Sequence, residues 1–331
     1  MYILQSIVLN SRIRQAMPIA IYPGIHLTGA SVKDIVTSAS SQFEAQTALH
    51  ERYNTRIVLT GMDLSVEAEA FGCTVKMLEN EIPTVIGRLI ENTDSIDTIE
   101  IPTVGENRTG IYLDVAGRLK SLPEQPIVLG GVIGPFSLAG RLFGISELLE
   151  LTIESPHHLH DLLEKVTHFL LEYTNAFKEA GAHGIIMAEP VAGLLSPRAL
   201  STYSSSYIKR IVDEICNDQF SIVLHNCGVR KNHIEAVFQT DVPIYHFGKP
   251  MDILSVLSQA NHETIIAGNL DPSTLFSSCP PAEIYGKTSK LLRNTSTFNN
   301  FIISSGCDLP PDVGIDKLDS FYAAVRDYNS S

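Results

Sequence analysis

A histidine and two cysteines end two short apolar segments and have the chemistry of a metal site. His225 and Cys227 lie near the end of the run Ser221–Gly228, and Cys307 lies near the end of Phe301–Asp308. Each run has the composition of a buried β-strand that is followed by a polar, glycine-containing turn. Zinc prefers nitrogen and sulfur ligands, and three protein ligands leave a fourth position open for a substrate. These residues therefore indicate a zinc site of the catalytic kind.

The spacing of these ligands leaves a second interpretation open. Alternate residues of a strand share a face, so His225 and Cys227 can point the same way. Cys227 and Cys307 are 80 residues apart, which excludes a compact zinc knuckle or ribbon. Cysteine is also among the most buried residue types, and two cysteines in buried strands are usually inert core. Spacing alone does not choose between a metal site and a buried core.

Further polar side chains stand at the ends of other predicted strands. Asp63 and Glu189 are candidate catalytic carboxylates, although a helix N-terminus or an arginine could equally be their partner. His246 is a third catalytic candidate, as a ligand or proton carrier, and a hydrogen-bonded structural histidine is its alternative. Asn269 and Lys249 are the candidates for cofactor binding, and a turn or cap role competes at Asn269.

Composition excludes several classes of protein. The chain has 331 residues and a net charge of −13, which argues against a nucleic-acid partner. No apolar run approaches the roughly 20 residues of a membrane span, and no signal peptide is recognisable at the N-terminus. Five cysteines do not suggest a disulfide framework. No glycine-rich nucleotide fingerprint follows a strand. We therefore expect a cytoplasmic protein without a membrane, nucleic acid, NAD or ATP as partner.

Eight apolar runs alternate with helical patterns, which predicts an α/β fold of the TIM (β/α)8 barrel type. Several runs are apolar on successive residues, as expected for parallel strands that are covered on both faces. In such barrels the active site lies at the carboxyl ends of the strands. The predicted strands are Pro18–Gly24, Arg56–Asp63, Pro126–Pro135, His183–Pro190, Ser221–Gly228, Pro243–Gly248, Thr264–Asp271 and Phe301–Asp308.

One stretch is too long for a single crossover between strands. Residues 64–125 follow the second predicted strand, and we interpret them as an insertion that covers the barrel mouth. Within them, Cys73–Met77 and Thr84–Leu89 suggest a hairpin, and a helix is expected near Gly110–Leu122. The pattern shows no linker or repeat, so residues 1–331 are predicted to form one domain.

The order of several motifs resembles the uroporphyrinogen decarboxylase superfamily, in particular its cobalamin-dependent methyltransferase branch. The start of the chain has only Arg14-Gln15-Ala16 of the arginine-rich substrate segment that true decarboxylases carry. The matching segments span almost the whole chain and are Met62–Cys73, Gly134–Gly140, Glu189–Pro197, His225–Gly228, Gly268–Pro272 and Ser305–Pro311.

This resemblance implies a TIM barrel and zinc held by His225, Cys227 and Cys307, which match the ligands of the methyltransferase branch. It also implies methyl transfer between a corrinoid (methylcobalamin) protein and a thiol such as coenzyme M. The opposite direction, from a methylated substrate to the corrinoid as in O-demethylases, is equally compatible. Lys249 or Arg230 would be the cation for a sulfonate. Two alternatives are a metal-free decarboxylase and a non-catalytic corrinoid-binding protein.

Overall fold

A curled parallel β-sheet with helices on its outer side forms the centre of the protein. The computed structural model describes residues 1–331. Seven strands pair in the order β1-β4-β5-β6-β7-β8-β9, all parallel, and β2 and β3 form a separate antiparallel hairpin. The strands are β1 (Ile57–Leu59), β2 (Val75–Leu78), β3 (Glu81–Val85), β4 (Ile127–Ile133), β5 (Gly184–Ala188), β6 (Ser221–Asn226), β7 (Ile244–Phe247), β8 (Ile265–Leu270) and β9 (Phe301–Ser305).

Helices follow almost every strand and complete the predicted alternation. Short 3-10 or π segments also occur, and one of them joins α10 to α11. The helices are α1 (Ile3–Leu9), α2 (Ile25–Thr28), α3 (Val32–Thr37), α4 (Ala39–Tyr53), α5 (Val66–Ala70), α6 (Asn107–Lys120), α7 (Pro135–Phe143), α8 (Ile145–Glu154), α9 (Pro156–Glu179), α10 (Pro197–Leu200), α11 (Ser206–Ile215), α12 (Ile234–Phe238), α13 (Ile253–Leu257), α14 (Pro281–Asn294) and α15 (Ile315–Ser330).

The predicted first strand is the one element that differs from the sequence-based expectation. Pro18–Gly24 forms no ladder and ends in a 3-10 turn, while Ala16 makes a single parallel bridge to Ile303 of β9. Pro18 and Ala20 line the same small cavity as the residues of β1. The segment therefore lies between β9 and β1 as an irregular eighth segment of the barrel wall, and the TIM-barrel prediction is confirmed. Its proline at 18 lacks the N–H that a regular ladder needs.

The inside of the barrel is a separate apolar core. Alternate residues of each strand point inward and meet Met17 and Ile19 of the closing segment. Helix α1 contributes Leu4 and Val8, and its start is hydrogen-bonded to the chain just before β6 through Ile3. The amino end of the barrel is therefore filled by apolar side chains. His225, His246 and Ser304 share the inward parity of these apolar residues and lie toward the carboxyl end, where the site forms.

The residues after β1 form the hairpin that the sequence suggested. β2 and β3 pair around Asn80, and both strands contact α3. Helix α6 packs against β4 and is the crossover helix of this βα unit, so the additional residues are 64–106. That this region covers the mouth stays a prediction.

The local sequence determines where two of the helices begin. The Ser31 hydroxyl accepts a hydrogen bond from the Asp34 N–H, and the Asp34 carboxylate accepts one from the Ser31 N–H. Ser155 precedes Pro156 at the start of α9, whose apolar stripe is fully buried. No helix in the structure is long and apolar enough to cross a membrane.

Candidate metal centre

The three predicted ligands meet at the carboxyl end of the barrel. His225 is the penultimate residue of β6, Cys227 directly follows that strand, and Cys307 lies in the turn after β9. The potential ligand atoms of the three residues all lie within 4.8 Å of one another. β7 and β8 separate β6 from β9 in the sheet, so only the curvature of the barrel brings these residues together.

Glycines allow the turns that carry the ligands to approach each other. A Cβ atom on Gly248, which follows β7, would lie 2.5 Å from the Cys227 carbonyl oxygen and 2.7 Å from its Cα. A Cβ atom on Gly306 would lie 3.0 Å from the backbone nitrogen of Lys249. Any side chain at Gly248 would therefore push Cys227 away from its place.

The chemistry of the three donors fits a metal ion. His225 is 1 % exposed, and its Nε2 is buried without a hydrogen-bond partner. Unpaired buried polar atoms are rare and need an explanation, such as an ion. A hydrogen bond from the Cys307 thiol lowers the pKa of Cys227. The same hydrogen bond, together with burial, raises the pKa of Cys307 to about 12. An unpaired imidazole nitrogen beside two cysteine sulfurs is a donor set that suits zinc.

His246 lies behind His225 and does not itself face the ligand cluster. It is fully buried on β7, in register with His225, and its Nδ1 lies 2.8 Å from the His225 Nδ1. Its Nε2 lies 2.7 Å from the Ser304 Oγ. Burial, followed by the neighbouring His225, holds the pKa of His246 well below its usual value, so the imidazole is neutral. Both of its nitrogens are engaged, and a proton-carrying role stays a prediction.

Asp63 is held by an arginine that the sequence analysis did not identify. Asp63 follows β1, is 4 % exposed and forms an ion pair with Arg108 at the start of α6. It also accepts hydrogen bonds from the backbone and the hydroxyl of Ser65, at 2.9 and 2.6 Å. Arg108 pairs in addition with Glu69. The arrangement matches the structural interpretation of Asp63 more closely than a catalytic one.

Glu189 caps the first turn of helix α7. It is fully buried after β5 and accepts hydrogen bonds from the N–H groups of Phe136 and Ser137, at 3.0 and 2.6 Å, and from the Ser137 hydroxyl. The Ser204 hydroxyl also donates to it. Burial raises the pKa of Glu189 to about 7, against the effect of these donors. Because its oxygens are occupied by four donors, a catalytic role for Glu189 stays a prediction.

Asn269 and Lys249 both hold the loops of the mouth. The Asn269 side-chain amide donates to the carbonyl oxygens of Gly248 and Met251, at 3.0 and 2.6 Å. The Lys249 ammonium pairs with Asp271 and is 61 % exposed. Asp271 in turn accepts from the N–H groups that begin the turn after Pro272. Lys249 therefore places an exposed positive charge at the barrel mouth, where it is paired with the carboxylate of Asp271.

Three polar residues of the site were missed in the sequence. Ser304 lies two residues after Ile302 and therefore shares its face, which points into the barrel. A serine at an inward position of an apolar strand could have been recognised in the sequence as a candidate site residue. Glu67 is 1 % exposed and accepts from the Ile133 N–H, and burial raises its pKa to about 7. Neither Glu67 nor Arg108 had a local signal, because their partners lie on other elements.

The fold and the site together define a parallel α/β barrel with a cluster of potential metal ligands at its strand ends, and the comparisons with known proteins specify its family. The uroporphyrinogen decarboxylase (URO-D) family model matches residues 11–328. The chain therefore belongs to the uroporphyrinogen decarboxylase family, and the resemblance seen in the sequence is confirmed.

Individual relatives come from both branches of this family. A methylcobamide:CoM methyltransferase, MtbA, of Methanosarcina acetivorans is 28 % identical over 264 residues, 77 % of this chain and 76 % of that protein. A uroporphyrinogen decarboxylase of Pseudoalteromonas translucida is 24 % identical over 247 residues, 71 % of this chain and 69 % of that protein. A solved methyltransferase of Methanosarcina mazei aligns with a TM-score of 0.87 and 21 % identity, covering 98 % of this chain and 97 % of that one. The last comparison establishes the shared fold.

Proposed function

We propose that the protein is a zinc-dependent methyltransferase that moves a methyl group from a corrinoid protein to a thiol such as coenzyme M. One observation carries the proposal: an unpartnered buried imidazole nitrogen and two sulfurs converge within 4.8 Å at the barrel mouth. The relative MtbA, by name a methylcobamide:CoM methyltransferase, supports the corrinoid and the thiol as substrates.

His225, Cys227 and Cys307 would hold the zinc ion. Bound there, zinc would keep a thiol substrate deprotonated and nucleophilic at neutral pH, since two thiolates already offset its charge. The methyl carbon would form a bond to the thiol sulfur while its bond to cobalt breaks, and the electron pair would stay on cobalt. The protein residues around the ligands would act by positioning, because Glu189 and Asp63 are already saturated with partners.

The rim of the barrel supports docking of a corrinoid-binding protein. Exposed apolar side chains are present in the hairpin, at Leu78, Ile82 and Ile86, and in the loop after β5, at Leu194. All of these segments follow the carboxyl end of a strand. A partner protein that docks over these segments would cover the exposed apolar side chains. We place the reaction in the cytoplasm, where the five free cysteines would stay reduced.

A metal-free decarboxylase acting on a polycarboxylate is the second candidate, since one relative carries that name. The position of Arg14 weakens it. The Arg14 guanidinium donates to the carbonyl oxygens of Thr295, Phe298 and Phe301, the last of which begins β9 at the amino end of the barrel. Arg14 is therefore far along the strands from the site and does not face a substrate there.

Metal content is the deciding measurement for the proposed function. We expect about one zinc per chain in the wild type and far less in Cys227→Ser, because that variant lacks a thiolate ligand. Methylcobalamin and coenzyme M would then be supplied, and the loss of the methylcobalamin spectrum would report transfer. The variant should lose this activity as well.

Cys279→Ser is the matched control, since Cys279 is a free cysteine outside the ligand cluster. It should keep both zinc and activity. Absence of zinc in the wild type, or equal zinc in both variants, would refute the metal proposal. If the zinc protein instead transfers a methyl group from a methylated donor to free cob(I)alamin, forming methylcobalamin, and none to a thiol, the O-demethylase direction would be indicated. Zinc and corrinoid-protein binding without any turnover would indicate a binding protein.

A further inference from the structure

A chain of hydrogen bonds runs from the ligand His225 to the segment that closes the barrel. The His225 Nδ1 lies 2.8 Å from the His246 Nδ1, and the His246 Nε2 lies 2.7 Å from the Ser304 Oγ. The Ser304 Oγ lies 2.5 Å from the carbonyl oxygen of Met17. All four residues are buried.

The direction of every hydrogen bond in this chain follows from its last member. A carbonyl oxygen has no proton to donate, so the proton between Met17 and Ser304 belongs to the serine hydroxyl. Ser304 has only that one proton and must accept from His246. The His246 Nε2 therefore carries hydrogen, and its Nδ1 is the acceptor of a neutral imidazole.

The same reasoning applies one residue further. Because the His246 Nδ1 accepts, the His225 Nδ1 must carry hydrogen and donate to it. The remaining nitrogen of His225, Nε2, is then left with a free lone pair. This nitrogen is the buried atom that has no partner in the structure, beside the two cysteines.

We infer that His246 and Ser304 are positioning residues that lock His225 in the Nδ1–H tautomer and so direct its Nε2 lone pair at the metal. The carbonyl of Met17 sets the direction of the whole chain. This inference rests on the proposed zinc site for its purpose, but the tautomer itself exists in the metal-free protein and is measured there. Outer partners of metal-bound histidines commonly act in this way.

The tautomer is measured directly by nitrogen NMR of the metal-free wild type with ¹⁵N-labelled histidine. The His225 signals are assigned by their loss in His225→Asn. We expect the neutral imidazole of His225 to carry its proton on Nδ1 and to leave Nε2 unprotonated. A His225 that carries its proton on Nε2 would overturn the inference, whether or not zinc binds.

Two pairs of variants test the effect on zinc affinity, measured by competition with a chromophoric chelator. Ser304→Ala should weaken zinc binding by about 10–100-fold, the usual effect of an outer-partner mutation. Ser305→Ala is its matched control. Ser305 is also fully buried on β9, and its hydroxyl accepts from the Ile19 N–H at 3.0 Å. Its contact with His246 is through the Ser305 backbone, which the substitution leaves in place. Ser305→Ala should keep the wild-type affinity.

The second pair substitutes His246 itself. His246→Gln retains an acceptor for the His225 Nδ1–H and a donor for Ser304, so zinc affinity should stay near that of the wild type. His246→Leu removes both groups and should weaken zinc as much as Ser304→Ala does. Equal affinity for the glutamine and leucine variants would overturn the positioning role. If the wild type binds no zinc, the proposed function fails, and the NMR result alone decides on the tautomer.

Discussion

The buried polar side chains at the barrel mouth differ in how many of their atoms have a hydrogen-bond partner. Glu67 has a partner for only one of its two carboxylate oxygens. One of its oxygens accepts from the Ile133 N–H at 2.9 Å, while the other is buried without a partner. Burial, the largest cause, raises its pKa from 4.5 to about 7. The ionised form of Glu67 is therefore unfavourable in the folded protein.

This shift gives a pH-dependent prediction for Glu67→Gln. Between pH 4.5 and about 7 the unfolded chain loses the proton that the folded protein keeps, so rising pH destabilises the wild type. The amide keeps the acceptor for Ile133 and never ionises. The advantage of Glu67→Gln in unfolding free energy should thus grow by about 3 kcal/mol across this window.

Denaturant unfolding at pH 4.5 and pH 8 checks this expectation. Glu44→Gln is the control, since Glu44 is exposed on α4 and should give the same difference from wild type at both pH values. An advantage of Glu67→Gln that is constant or shrinks with pH would show that Glu67 is already ionised when the protein is folded.

At the scale of elements, the β1–α6 connection is held by one buried cation. Arg108 at the start of α6 is 6 % exposed and contacts Asp63, Ser65 and Glu69. Arg108→Met keeps the length of the side chain but leaves the buried Asp63 without its counter-charge. We expect a loss of about 3–5 kcal/mol in unfolding free energy.

Arg118→Met is the matched control on the same helix. Arg118 pairs with Asp114 at 2.8 Å, but its side chain is 42 % exposed. Solvent screens such a pair, and its loss should cost less than about 1 kcal/mol. Similar losses in the two variants, measured by denaturant unfolding, would contradict the assignment of Arg108 as a buried structural cation.

For the whole molecule, the proposed metal would connect the ends of β6 and β9 across the barrel. Zinc that binds only the folded protein should raise the thermal midpoint, by the equivalent of about 4 kcal/mol when free zinc is 1,000 times its dissociation constant. Calorimetry of the metal-free wild type with and without zinc measures this rise. Cys307→Ala should show no rise, and Cys279→Ala should show the full one. An equal rise in both variants would place the bound zinc elsewhere.

The sequence was sufficient for the features that depend on neighbouring residues. Runs of Val, Ile and Leu predicted all seven strands of the parallel sheet, and Ser31 and Ser155 directly precede the helices α3 and α9. The spacing His225-x-Cys227 already implied one shared face of a strand. The alternation of strands and helices predicted the barrel, and the order of the sequence motifs along the chain predicted the family.

Tertiary structure decided the roles of His225, Glu189 and Asp63, because each has partners on other elements of the fold. Barrel curvature brings Cys307 to Cys227, the packing of α6 after β1 places Arg108 against Asp63, and the pairing of the closing segment with β9 places Met17 beside Ser304. Pro18 kept the predicted first strand from forming a ladder, yet its segment still closes the barrel. Local sequence determines which backbone groups and apolar faces are available, whereas long-range packing determines which lone pairs remain free for chemistry.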